Sequence, residues 1–109
     1  MGRNKECLTK AARLADLTDY QEDSVVGKTI IDKKAGTITL FAFDQGQGLS
    51  EHKAPYDALI HVIDGEVEIT VSHKANHLKE GEIIMLPANE PHAVKALARS
   101  KMVLTMIRA

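Results

Sequence analysis

From Val25 onward the chain alternates apolar and polar residues in short runs broken by turn residues, the two-residue period of half-buried strands. Thr29–Ile31 runs into a Lys33-Lys34-Ala35-Gly36 turn, and Thr37–Phe43 sets Ile38, Leu40 and Ala42 on one face against Thr37, Thr39, Phe41 and Phe43 on the other. Gly46 and Gly48 interrupt the pattern. Ala58–Ile63 and Val67–Val71 flank Asp64-Gly65, a dipeptide that predicts a tight β-hairpin. Ser72–Asn76 reads as a polar turn, Glu82–Leu86 ends at Pro87, Pro91–Leu97 follows, and Met102–Ile107 closes the series. Roughly eight or nine short strands at regular spacing predict an all-β sandwich or barrel.

The first part of the chain differs. Leu8, Ala11, Ala12 and Ala15 recur at helical spacing, with Asn4 placed to cap, so a short N-terminal helix is expected over Asn4–Leu17. Asp16–Ser24 is polar and reads as a connector. The organisation expected is therefore residues 1–24 as N-terminal helix and connector and residues 25–109 as the barrel. No internal repeat or low-complexity stretch interrupts it.

Composition narrows the function more than the fold. With 109 residues, 44% hydrophobic and 27% charged, the chain suits one ordinary globular domain. A formal net charge of -1 supplies no basic field for nucleic acid, and 4% aromatics without tryptophan offer few surfaces for stacking bases. No apolar run approaches the roughly 20 residues that span a bilayer, and Met1–Lys10 is too polar for a secretory signal. The expectation is a cytoplasmic protein with neither a nucleic-acid nor a membrane partner. Cys7, the single cysteine, cannot form an internal disulfide and reads as an inert helix residue.

Two segments carry a family spacing. In the first, Gly46 is followed after five residues by His52, Lys53 and Ala54, then by Ala58, with six residues between Ala58 and Gly65. In the second, Gly81 is followed after five residues by Pro87, then Ala88, Asn89, Glu90, Pro91 and His92, with Ala96 at its end. These resemble the paired motifs of the RmlC-like cupin superfamily, G-x5-H-x-H-x3-E-x6-G and G-x5-P-x-G-x2-H-x3-N. The resemblance spans Gly46 to Ala96, about half the chain, and implies a cupin jelly-roll, a double-stranded β-helix barrel. Asn89 replaces the motif glycine and tolerates the left-handed backbone required there.

The chemical departures matter more. In metal-binding cupins two histidines and a glutamate of the first motif, with the histidine of the second, hold a divalent ion. His52 and His92 match; Ala54 stands at the second histidine, Ala58 at the glutamate and Ala96 at the asparagine. The resemblance thus implies a two-histidine site for Zn, Fe, Ni or Mn that needs a further donor. His61 is one candidate, although strand alternation turns it away from the interior if Ala58 faces inward, unless a bulge reverses it. Asp57 is another, if the Pro55-Tyr56 segment shifts register. Tyr56, Ala54, Ala58 and Gln47 are expected to line a ligand pocket, the alanines widening it. His73 and His77 read as turn residues of the hairpin between Val67 and Leu86, and Met85, Met102 and Met106 as core.

Three functions stay open on this reading: a metal-dependent enzyme acting on a small molecule, a metal-free small-ligand binder or sensor, and an interaction module. A homodimer is expected on the family resemblance and on the prevalence of two-fold assemblies, with Thr37–Phe43 and Met102–Ile107 as candidate contact strands.

Overall fold

The computed structural model describes residues 9–108. Nine strands follow in order: β1 (Val25–Lys33), β2 (Gly36–Phe43), β3 (Gly48–His52), β4 (Asp57–Asp64), β5 (Glu66–Val71), β6 (Lys74–Lys79), β7 (Ile83–Leu86), β8 (His92–Ala96) and β9 (Ser100–Ile107). They form two antiparallel sheets, one ordered β1-β2-β9-β4-β7 and the other β3-β8-β5-β6. This is the expected all-β jelly roll.

Alternation explains how the sheets close on each other. Ala58, Ile60 and Val62 on β4, Val67 and Ile69 on β5, Val94 and Ala96 on β8, Phe43 on β2 and Met102 on β9 belong to one buried apolar cluster. Each strand contributes every second residue to it, as the pleat requires. Phe41 stacks on Phe43 at 5.8 Å between ring centroids, and both face this layer.

Asp64-Gly65 is not a hairpin turn. β4 and β5 belong to different sheets, and the dipeptide carries the chain from one to the other. The left-handed backbone was read correctly, with Gly65 at φ +78°. The pairing was not, because the inward rows of β4 and β5 face each other across the core instead of lying side by side. Ser100 fixes the crossing: its hydroxyl oxygen accepts from the Glu66 N–H at 3.0 Å, and its proton faces the Ala98 and Glu66 carbonyl oxygens, 2.7 and 2.8 Å away.

The tight hairpin lies one strand later. Val71 pairs with Lys74 around Ser72 and His73, whose φ values of 49° and 68° are both positive, as a two-residue turn matching strand twist requires. The turn is thus shorter than Ser72–Asn76. His77 lies within β6 and holds the Glu66 carboxylate at 2.8 Å. Asn89 has φ +67°, the conformation expected of it.

The N-terminal helix is the other correction. Residues 4–8, including Cys7, lie outside the described part, and the described remainder holds only a 3-10 turn at Leu14–Leu17. Ala11 and Ala12 are exposed, so the expected helical stripe has no apolar surface to pack against, and packing is what holds most short helices. Lys101 sits on the outward row of β9, 8% exposed, and its ammonium must find acceptors. It donates to the Ala15 and Thr18 carbonyls. The Tyr20 ring lies against the same ammonium at 4.9 Å, and its hydroxyl donates to Asp64 at 2.5 Å. Burial, then this bond to a carboxylate, pushes the Tyr20 hydroxyl's pKa well above its ordinary value.

A Cβ on Gly65 would lie 2.1 Å from the Arg99 carbonyl oxygen and 2.6 Å from the Ser100 hydroxyl. Gly65→Ala should therefore cost at least about 2 kcal/mol, strain and clash together. Gly46, at φ +86° with open space around its would-be Cβ, should cost only about 1 kcal/mol as Gly46→Ala. Urea midpoints of the two variants check this order.

Candidate functional site

His92 opens β8 and continues the inward row of Val94 and Ala96. Its register partner across the ladder is His52, the last residue of β3, beyond an irregularity that starts after Leu49. The two imidazoles meet at the rim where β3 ends. Their rings stand edge to face at 4.3 Å between centroids, and Nε2 of one lies 3.1 Å from Nε2 of the other. His92 is 8% exposed while His52 is open to solvent, so the pair joins a buried wall to an accessible mouth.

The outer nitrogens decide the chemistry. His52 Nδ1 lies 2.8 Å from the Ser50 carbonyl oxygen, and His92 Nδ1 lies 3.2 Å from the Glu90 carbonyl oxygen. A carbonyl only accepts, so each contact is a hydrogen bond only if Nδ1 carries the proton. Two neutral rings in that tautomer direct their Nε2 lone pairs at each other. A cation between the nitrogens satisfies both rings: a proton, leaving the pair with one positive charge, or a metal ion. Any neutral, metal-free arrangement sacrifices one carbonyl contact, and the longer contact of His92 is the one to yield.

His92 is set toward the neutral form. Burial lowers its pKa below the usual imidazole value, the neighbouring His52 lowers it further, and the Glu90 carbonyl opposes both. The spacing also suits a shared ion. Two imidazole nitrogens each about 2.0–2.1 Å from one ion are about 2.9 Å apart at a right angle and about 3.4 Å apart at the tetrahedral angle; the observed 3.1 Å falls between.

The other candidates lie elsewhere. His61 is exposed on the outward row of β4, paired with Val103 and Ile83. No bulge interrupts β4 between Ala58 and Val62, so alternation holds and His61 points away from the barrel. Asp57 is on the same outward row and accepts the Ala88 N–H at 2.8 Å, bracing the loop after Pro87. Ala54 gives its carbonyl to the Asn89 N–H at 2.7 Å, and Tyr56 is half-buried in the same β3–β4 connection. Gln47 accepts the Ala96 N–H at 2.8 Å, at the far end of the β3–β8 ladder from His52. Ala58 belongs to the apolar cluster, with Leu86 and Met106 as register partners; the small side chain has been packed over. Among the described residues no group of three His, Cys, Asp or Glu side chains is placed to share an ion.

A model of the cupin domain matches residues 39–108, from the middle of β2 to the end of β9. The chain belongs to the cupin family. A cupin superfamily protein from Desulfitobacterium hafniense is similar at 27% identity and TM-score 0.88, over 92% of each chain. A conserved protein of unknown function from Streptococcus pyogenes reaches 29% and 0.88, over 92% of this chain and 88% of that one. A cupin 2 conserved barrel domain protein from Leptotrichia buccalis reaches 40% identity and 0.83, over 85% of this chain and 45% of the other. Among curated proteins, an uncharacterized HTH-type transcriptional regulator of Haemophilus influenzae is 33% identical over 69 residues, 61% of this chain but only 23% of the regulator. This cupin thus spans about a quarter of that relative's length. No helix among the described residues is long and apolar enough to cross a membrane.

The depressed His92 pKa sets a pH dependence. The unfolded chain takes up a proton near pH 6.5, the folded chain only at lower pH. Stability is therefore full above about pH 6.5 and falls with pH until the folded His92 titrates. Urea denaturation between pH 7.5 and 5 should show this loss, and His92→Asn should reduce the slope in that window.

Proposed function

We propose that this cupin binds a divalent transition-metal ion at the barrel rim through Nε2 of His52 and His92, and that a small oxygen- or nitrogen-donor molecule or water fills the remaining positions. The observation that carries this is the 3.1 Å approach of two Nε2 atoms whose rings each have Nδ1 against a backbone carbonyl. Such backbone acceptors are what orient ligating imidazoles in metal sites. A paired imidazole donor set suits Zn, Ni or Fe better than Mn. With two protein ligands and an exposed His52, the ion would be held weakly and keep several positions for an exogenous ligand. The bound ion would supply Lewis-acid character to that ligand.

The core beneath the pair favours a rim site over a deep pocket. Val94 and Val71 are inward neighbours of His92 along β8 and across to β5, and Ala58 and Ala96 are buried in the cluster. A small molecule would bind against the rim, with the Tyr56 and Ala54 connection beside it.

A second reading, a metal-free ligand-sensing domain, has one observation in its favour: the similar segment in Haemophilus influenzae lies in a protein named as a transcriptional regulator. In that reading the His52–His92 pair would bind an acidic or hydrogen-bonding effector directly.

Titration of the metal-stripped, untagged protein with zinc and nickel salts separates the two. One ion per chain should bind at pH 7.5. His52→Ala and His92→Ala should each weaken binding by at least about tenfold, and His61→Ala should change nothing. Affinity should fall as pH drops through the imidazole range, because a protonated ring cannot ligate. Equal zinc binding by the parent and the His52→Ala/His92→Ala double variant would refute the proposal.

A further inference from the structure

The rim pair is one end of a longer row. His92 is the register partner of His52 on one side and of Val71 on the other, and Val71 is the partner of Lys74. Residues directly opposite in an antiparallel ladder share a face. His52, His92, Val71 and Lys74 therefore stand in line across the four strands of the smaller sheet, on its inward side. Burial agrees. Along β6 the inward row passes from buried Leu78 through half-buried Asn76 to exposed Lys74. Along β5 it passes from buried Val67 and Ile69 to half-buried Val71. The row thus rises out of the core to the mouth and reads imidazole pair, apolar floor, ammonium.

The hairpin fixes where Lys74 stands. It follows the two-residue turn at Ser72 and His73. The Asn76 amide donates to the Lys74 carbonyl at 3.1 Å and to the Ile69 carbonyl at 3.2 Å, tying this end of β6 to β5. No hydrogen bond or ion pair engages the Lys74 ammonium among the described residues. Two carboxylates at this end of the sheet are already engaged by the turn: Glu51 lies 3.6 Å from His73 Nδ1, and Glu90 accepts the Ser72 hydroxyl at 2.5 Å. The ammonium is left for an incoming anion.

We propose that the exogenous ligand of the rim site is a short dicarboxylate, an assignment that rests on the metal site inferred above. One carboxylate completes the ion on His52 and His92, the methylene chain lies over Val71, and the second carboxylate pairs with Lys74. The span sets the length. An ion shared by β3 and β8 lies about two and a half strand spacings from β6, roughly 12 Å. A metal–oxygen bond of about 2.1 Å and a charge-assisted N–H···O contact of about 2.8 Å leave roughly 7 Å between the outer oxygens of the ligand. A chain of about five carbons covers that distance. A monocarboxylate leaves Lys74 unanswered, and a polar group in mid-chain would sit on Val71 without a partner.

Zinc titrations of the metal-stripped, untagged protein at pH 7.5, with and without millimolar glutarate or pentanoate, test this. The two acids share a five-carbon chain and differ by one carboxylate. An acid bound beside the ion tightens zinc binding by the factor by which zinc tightens its own, whereas chelation in solution weakens it, so the sign of the effect tells them apart. Glutarate should tighten zinc binding at least about threefold more than pentanoate does, in the parent and in Lys74→Arg. That advantage should vanish in Lys74→Gln, whose zinc affinity without acid should stay within about twofold of the parent's. Zinc binding that is intact without acid but no tighter with glutarate than with pentanoate would overturn the dicarboxylate and leave the metal site standing. A glutarate advantage that survives Lys74→Gln would do the same. Absence of zinc binding by the parent would overturn both.

Discussion

The apolar layer between the two sheets is the constraint on which the rest depends. Because β4, β9, β5 and β8 each give every second residue to that layer, the direction of every other side chain follows. His92 faces inward because Val94 and Ala96 do, and His52 meets it because β3 pairs with β8 at that register. His61 faces outward because Ile60 and Val62 do not. One interior thus sets both the pair at the rim and the outward direction of His61.

What the barrel offers chemically is narrow. Where the metal-binding motif has a second histidine and a glutamate, this chain has Ala54, engaged through its carbonyl by the Asn89 N–H, and Ala58, packed into the core. The remaining donors are two nitrogens held 3.1 Å apart at an edge. Such a pair is suited to exchangeable binding more than to a permanent metal cage, since few protein ligands mean weak retention and many free positions. The depressed His92 pKa keeps at least one of the two nitrogens available near neutral pH.

Much of this was legible in the residues. Strand periods, the end of β2 at Phe43, the left-handed turns at Gly65 and Asn89, and the convergence of His52 with His92 were all readable from pattern and motif spacing. The failures share a cause, since each needed partner information that local pattern lacks. Asp64-Gly65 looks like a hairpin because the dipeptide satisfies turn dihedrals whether the next strand joins the same sheet or the facing one. The expected helix counted on Ala11 and Ala12 facing a partner surface, whereas both are exposed, and an apolar stripe holds a short helix only when something packs on it. The pocket expected at Ala58 assumed that a small residue leaves space, whereas packed interiors close over it. Met85, expected in the core beside Met102 and Met106, is instead 56% exposed on β7, and with Leu59 and Ile83 it occupies an outward position where alternation calls for polar residues.

In the proposed site His52 and His92 both keep Nδ1–H on a backbone carbonyl and present Nε2 to one shared cation. Nitrogen-15 NMR of the imidazoles, recorded before and after one equivalent of zinc at pH 7.5, measures this directly. Both Nε2 resonances should move together on zinc addition while both Nδ1 atoms remain protonated, and the His61 ring should not respond. A shift in only one ring, or at Nδ1, would contradict it.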